Sequence, residues 1–234
     1  TAICTVAGNT LSLVAAGSCI VQASQAGSAN FNAAPAVTGT LAVAKASQTI
    51  SFTLPASSTF GAATLALVAT ASSGLPVTFA STTPVICTVS AKTLKIVGAG
   101  SCVVRAIQGG NGSYSAAPAV DRTLKIAKAN QTIAFATLAA RTFGAAPFAV
   151  AATATSKLPV TFASTTATTC SVAVNSVTLL AAGTCTVRAT QSVDVNFNLA
   201  PVVNQSFAIA KAKQSITLAS IAAHRPREPP FALA

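Results

Sequence analysis

Six cysteines carry the most distinctive chemistry of this 234-residue chain: Cys4, Cys19, Cys87, Cys102, Cys170 and Cys185. Thiols can ligate a metal, attack as thiolates or close disulfides. Spacing separates these roles. Cys4/Cys19, Cys87/Cys102 and Cys170/Cys185 share one internal spacing of 15, and each pair follows the previous one by 83. Zinc sites usually bring Cys or His together in close pairs such as Cys-x2-Cys. No such pair exists here, and the one histidine, His224, stands apart in a Pro-rich stretch. Free reactive thiols fit poorly too, because every cysteine has a symmetry-matched partner. Many pairings of six cysteines are conceivable, but the repetition leaves one simple set: Cys4–Cys19, Cys87–Cys102 and Cys170–Cys185. A bridge closing a loop of this length stabilises a domain by roughly 3 kcal/mol in the chain-entropy model. Three such bridges imply an oxidising compartment outside the cytoplasm.

The other reactive groups are sparse. General acid–base work needs a positioned carboxylate, His, Lys, Tyr or Cys. The acids are only Asp121, Asp194 and Glu228, and none recurs in every repeat. Asp194 aligns with Asn111 and Ser28, which marks a loop position. Tyr114 aligns with Phe31 and Phe197, which marks a packing ring. A calcium site in each repeat would need clustered acidic oxygens, which three dispersed acids cannot supply. No phosphate loop, nucleophile elbow or carboxylate pair is present. The expectation is therefore no enzyme, no cofactor and no metal.

The elements that must position the cysteines follow from composition and period. Apolar residues make up 52% of the chain, while aromatics make up 5% and charged residues 7%. That hydrophobicity argues against disorder, and the wealth of Val, Thr, Ala and Ser suits pleated, half-buried strands. The net charge is +11. Its basic residues are scattered and have no aromatic stripe beside them, so no specific nucleic-acid partner is expected. The most apolar stretch, Leu138 to Ala154, is interrupted by Arg141, Gly144 and Pro147. No transmembrane segment is expected in this stretch. The absence of a signal peptide and of an initiator Met reads as a processed or excised part of a longer chain.

The repeat is in phase throughout. Lys45-Ala-Ser-Gln-Thr-Ile50 returns as Lys128-Ala-Asn-Gln-Thr-Ile133 and again as Lys211-Ala-Lys-Gln-Ser-Ile216, at the same period as the cysteines. Leu75-Pro-Val-Thr-Phe79 returns as Leu158-Pro-Val-Thr-Phe162. The reading is an all-β chain of tandem immunoglobulin-like sandwiches. It divides into 1–44, the C-terminal part of one repeat; 45–127 and 128–210, two complete repeats; and 211–234, the N-terminal part of a further, divergent repeat. Within 128–210, seven alternating strands are expected, around Ile133/Phe135, Phe148/Val150/Ala152, Val160/Phe162, Cys170/Val172, Val177 to Leu180, Cys185/Val187/Ala189 and Phe207/Ile209. Cys170 shares its face with Val172, and Cys185 with Val187, so both point inward. A small closed β-barrel is the alternative fold. The joint Leu124 to Ile133 contains no Gly or Pro, which reads as a stiff connection.

The run Cys170-Ser-Val, then Val177-Thr-Leu-Leu-Ala-Ala-Gly-Thr-Cys-Thr-Val-Arg-Ala-Thr190, resembles bacterial immunoglobulin-like (Big-type) repeats. The opening Lys128-Ala-Asn-Gln-Thr-Ile133 and the middle Leu158-Pro-Val-Thr-Phe162 are similar to the disulfide-bearing variety of large bacterial surface proteins. The resemblance implies a stalk, spacer or fibre outside the cell, with no catalytic residues shared by the family. His224-Arg-Pro-Arg-Glu-Pro-Pro230 departs from Arg141-Thr-Phe-Gly-Ala-Ala-Pro147, with Pro226 where Phe143 is read as a core residue. Expected partners are neighbouring repeats or copies of the chain itself. The alternative is an adhesive module that recognises a glycan or a host-surface protein. Residues 1–44 and 211–234 together fall short of one repeat, lacking the counterpart of Ala152 to Thr166. Either neighbouring sequence completes both ends, or the C-terminal strand of one subunit adds to the open N-terminal half of the next.

Overall fold

A computed structural model describes residues 2–218, 220 and 226. Among these residues every regular element is a strand, and no helix is long and apolar enough to cross a membrane. The chain forms two compact units. The first takes residues 1–129 with 194–198, and the second takes 130–193 with 199–234.

In the first unit the sandwich has a four-stranded layer and a three-stranded layer. The four-stranded layer runs Ser57–Thr59, Val120–Ala127, Gly100–Ile107, Thr78–Ser81, and its outermost pairing, to Ser57–Thr59, is parallel. The three-stranded layer runs Cys87–Ser90, Thr93–Ile96, Leu65–Ala66. Ile50–Phe52 and Ala69–Ala71 form a separate antiparallel pair. Alternation buries one face of each long strand. In Gly100–Ile107, Cys102, Val104 and Ala106 are buried while Ser101 and Arg105 are exposed. With Phe52, Leu67, Leu94, Leu124 and Ile126 they make the core. Phe52 and Phe79 supply its aromatic contact, with ring centroids 5.2 Å apart.

The second unit has the same layers. Arg141–Thr142, Val203–Ala210, Gly183–Thr190 and Thr161–Ser164 form one; Phe148–Ala149, Ser176–Leu179 and Cys170–Ala173 form the other. Ile133–Phe135 pairs with Ala152–Ala154. The core gathers Ile133, Phe135, Val150, Val177, Val187, Phe207 and Ile209 around Cys170 and Cys185.

Two features differ from the seven-strand reading. The strand expected across Phe148, Val150 and Ala152 is two strands. Phe148–Ala149 pairs with the three-stranded layer, whereas Ala152–Ala154 pairs with Ile133–Phe135. The chain changes partners at Val150, whose backbone N–H donates instead to the Asn175 carbonyl (2.8 Å). Arg141–Thr142 is an additional short strand, parallel to Ile209 and Ala210. So short a strand gives alternation no room to show in a sequence.

Residues 1–44 fold into two hairpins, Cys4–Ala7 with Thr10–Leu13, and Gly17–Gln25 with Ala34–Val43. Their alternation is the same, yet the inward face is uncovered. Leu124, opposite Cys102, is fully buried. Leu41, in the same register opposite Cys19, is 45% exposed. In the segment aligned with the opening of each whole repeat, Lys211 to Leu218 carries no strand, and Ile216 is 97% exposed. Its counterpart Ile133 is held by Ala154.

The hairpin turn after each first cysteine strand needs a positive φ. Gly8 (58°), Ala91 (52°) and Val174 (57°) occupy the same turn position. A β-branched side chain is poorly suited to that conformation, and Val174 is exposed, so it gains nothing from packing. Val174→Gly should therefore raise the unfolding free energy by about 1 kcal/mol, read from the urea midpoint. An unchanged or lowered midpoint would count against a strained turn.

Candidate functional site

The cysteine pairs sit where the two layers face each other. Cys87 belongs to the three-stranded layer and Cys102 to the four-stranded one, and their sulfurs are bonded with Cα atoms 5.6 Å apart. Cys170–Cys185 spans the layers of the second unit with a Cα separation of 5.7 Å, and Cys4–Cys19 joins the two N-terminal hairpins at 5.7 Å. No free cysteine remains among the described residues. All these cysteines except Cys4 are buried. Ser81 Oγ lies 3.4 Å from Cys87 Sγ, and Ser164 Oγ lies 3.3 Å from Cys170 Sγ. The arrangement is a staple between layers, with no sulfur presented to a substrate.

In each whole repeat a polar clamp accompanies the staple, and the sequence reading did not single it out. Gln48 Nε2 donates to Gln108 Oε1 and to the Ser115 carbonyl, and Ser73 Oγ donates to Gln48 Oε1. Gln131 Nε2 donates to Gln191 Oε1. All four glutamines are buried. Buried amides must find partners. Here one reaches from the segment that opens the repeat, and the other from just past the end of a long central strand. Gln48 and Gln131 are the recurring Gln of the Lys-Ala-x-Gln-Thr-Ile motif, so the signal was present. Its partner lies far downstream and carries no local pattern.

The loop that follows each long strand is built by side chains capping the backbone. Asn111 Oδ1 accepts from the N–H groups of Ser113 and Tyr114, both at 2.9 Å. Asp194 Oδ1 accepts from Asn196 (2.7 Å) and Phe197 (3.0 Å), and Ser28 Oγ accepts from Asn30 (3.3 Å). Asp194 is thus a turn former. Gly27 and Gly110 adopt φ of 79° and 77°, and a Cβ there would sit 2.6 and 2.5 Å from a carbonyl oxygen. In two loops the backbone also pairs with the start of the motif: Ala46 with Tyr114, and Ala129 with Phe197, both in parallel bridges. The third loop, Asp194 to Asn198, belongs to the first compact unit. There Phe197 meets Phe60 edge-on with centroids 5.4 Å apart, and Asn196 Oδ1 accepts from the Ala99 N–H at 2.8 Å. Lys128 Nζ donates to the Asp194 carbonyl. The three aligned rings therefore differ: Phe197 is packed, Tyr114 is half-buried, and Phe31 is 76% exposed.

Phe143 is a correction to the sequence reading. It is 43% exposed and lies outside the sandwich core. It lies at the rim of a recess of about 690 Å³ that is also lined by Leu180, Ala182 and Ala212. Its counterpart Phe60 is the residue that Phe197 covers. The position serves a loop contact, so apolar character alone misplaced it.

Among the described residues the charged groups make one surface ion pair. Arg105 and Asp121 face each other across neighbouring strands, with Nη2 to Oδ2 at 2.8 Å. The hydrogen bond from Arg105 holds the Asp121 carboxyl below its ordinary range. That stabilisation is present at neutral pH and fades as pH falls through the carboxylate range, and its exposure keeps it small. Among the described residues no group of three or more His, Cys, Asp or Glu could hold a metal ion. His224 and Glu228 lie outside the described residues, as does the rest of the divergent segment from Ile221 onward except the exposed Pro226.

Two facing layers, a parallel edge strand and a staple across the interior define an all-β, immunoglobulin-like sandwich. No protein-family model matches the chain, and no curated protein matches it. It is similar to solved domains 4 and 5 of the S-layer protein SbsC, at 16% identity over 57% of this chain and 70% of that one, with a TM-score of 0.30. It is similar to Drosophila N-cadherin EC1-3, at 11% identity over 72% of this chain and 69% of that one (TM-score 0.29). It is also similar to the titin domains z1z2 solved in complex with telethonin, at 18% identity over 72% and 100% (TM-score 0.34). Likenesses of this size carry no inference about activity or partners.

Proposed function

We propose that the chain is a non-catalytic structural array, part of an extracellular rod, stalk or filament of a bacterial surface or secreted protein. Residues 45–127 and 128–210 are its whole repeats, with 1–44 and 211–234 as parts of flanking ones. The observation that carries this reading is the recurrent buried staple: the chemically distinctive residues of each whole repeat are spent on joining its two layers. Disulfides of this kind belong to an oxidising compartment. The loops are short and carry no inserted segment, which suits spacing better than recognition. The adhesive alternative is tested by presenting the labelled chain to arrays of glycans and of host-surface proteins. No saturable binding is expected. Saturable binding to one ligand class would overturn the purely structural reading in favour of an adhesive module.

A further inference from the structure

The recess beside Phe143 and the exposed Phe31 are the two halves of a contact that the chain already makes once. In the first unit, Phe197 covers Phe60, Asn196 accepts from Ala99, and Ala129 pairs with Phe197 through hydrogen bonds to Asn196 and Asn198, each 2.9 Å. One repeat further on, Phe60 becomes Phe143, Ala99 becomes Ala182 and Ala129 becomes Ala212, all lining the recess. Two repeats back, Asn196-Phe197 becomes Asn30-Phe31. This loop carries the same Asn-Phe pair, which the middle loop, with Ser113-Tyr114, lacks.

The clamp is divided in the same way. Gln25 is the counterpart of Gln108 and Gln191. It already accepts from Gly27 N–H, as Gln108 accepts from Gly110 N–H, but it is exposed. Gln214 is the counterpart of Gln48 and Gln131, and it too is exposed. Ile216 and Leu218 stand where Ile133 and Phe135 enter the core, and both are exposed. The inward face of 1–44 around Leu41 is uncovered.

We propose that the chain associates head to tail with a second copy of itself. Asn30 and Phe31 of one copy occupy the recess beside Phe143 of the next, and Lys211 to Leu218 of that next copy lies along the uncovered face of 1–44. Ala212 then pairs with Phe31, Gln214 with Gln25, and Ile216 and Leu218 cover Leu41. The two surfaces lie far apart in the sequence and differ from each other, so the contact is heterologous and propagates. The inference rests on the structural reading of the repeats, yet a chain that fails to associate can still serve as a spacer.

The test uses the whole 234-residue chain in sedimentation velocity and light scattering over a concentration series. Wild type should grow in mean mass without a fixed end point. Phe31→Ser and Phe143→Ser each remove one half of the contact, so each variant alone should stop growing. Mixed in equal amounts, each retains the half that the other lost, and the mixture should halt at about twice the monomer mass. Thermal melts of both variants should match wild type, since both rings are exposed. Three results would overturn the proposal: a wild type that stays monomeric throughout, variants that associate as wild type does, or a mixture that behaves as the sum of its parts.

Discussion

Replacing Cys87 and Cys102 together by alanine should lower stability by roughly 3 kcal/mol, the value of a bridge closing a loop of this length. For a domain of this size that corresponds to a fall in melting temperature of roughly 10–20 °C. The magnitude follows from position as much as from loop length. Both cysteines are fully buried, and they belong to different layers. Without the bridge, the layers are held by a core whose strand positions are filled largely by Val, Ala and Leu, with Phe52 and Phe79 as its aromatic pair. Small side chains bury little area each, so the tether carries an unusual share of the stability. The measurement is thermal unfolding of the double variant beside wild type, with and without reductant. Reductant should move wild type toward the variant, while the unfolding of the altered repeat in the variant stays where it was. A double variant that melts with wild type would show that the layers hold without the staple.

The second large effect separates a closed core from an open one at the same register position. Phe207 lies opposite Cys185, and Leu41 lies opposite Cys19. Phe207 is buried, its ring stands edge-on to Phe148 with centroids 5.5 Å apart, and the Arg141 guanidinium lies 4.5 Å from the Phe148 centroid. Phe207→Ala should cost about 3–5 kcal/mol, from lost transfer energy and the cavity left behind. Leu41→Ala in isolated chains should cost under about 1 kcal/mol, because its side chain still meets water in the folded state. Urea unfolding at low protein concentration reads both. Equal losses would show that the face around Leu41 is covered in solution, a result that bears directly on the head-to-tail contact.

The sequence by itself determined what depends on period and local alternation. Cys170 with Val172, and Cys185 with Val187, share inward faces because a strand turns its side chains over every second residue. The same rule placed Phe207 and Ile209, and Gly, Asn and Asp marked the turns. Only the tertiary structure decided what depends on partners distant in the chain. Val150 could be read as strand interior, but the chain switches from one layer to another there, and hydrogen-bond partners choose that point. Gln48 and Gln108 meet across a long stretch of chain, and nothing local to either announces the pairing. Phe143 reads as a core residue because an apolar ring in a repeat predicts burial. Its position on the rim follows from a loop contact that the sequence encodes only as the distant Asn196-Phe197 pair, seen on Phe60 and Ala99. Leu41 and Leu124 are the same residue in the same register with opposite exposure. Burial belongs to the assembled layers, and no single strand carries enough of them to specify it.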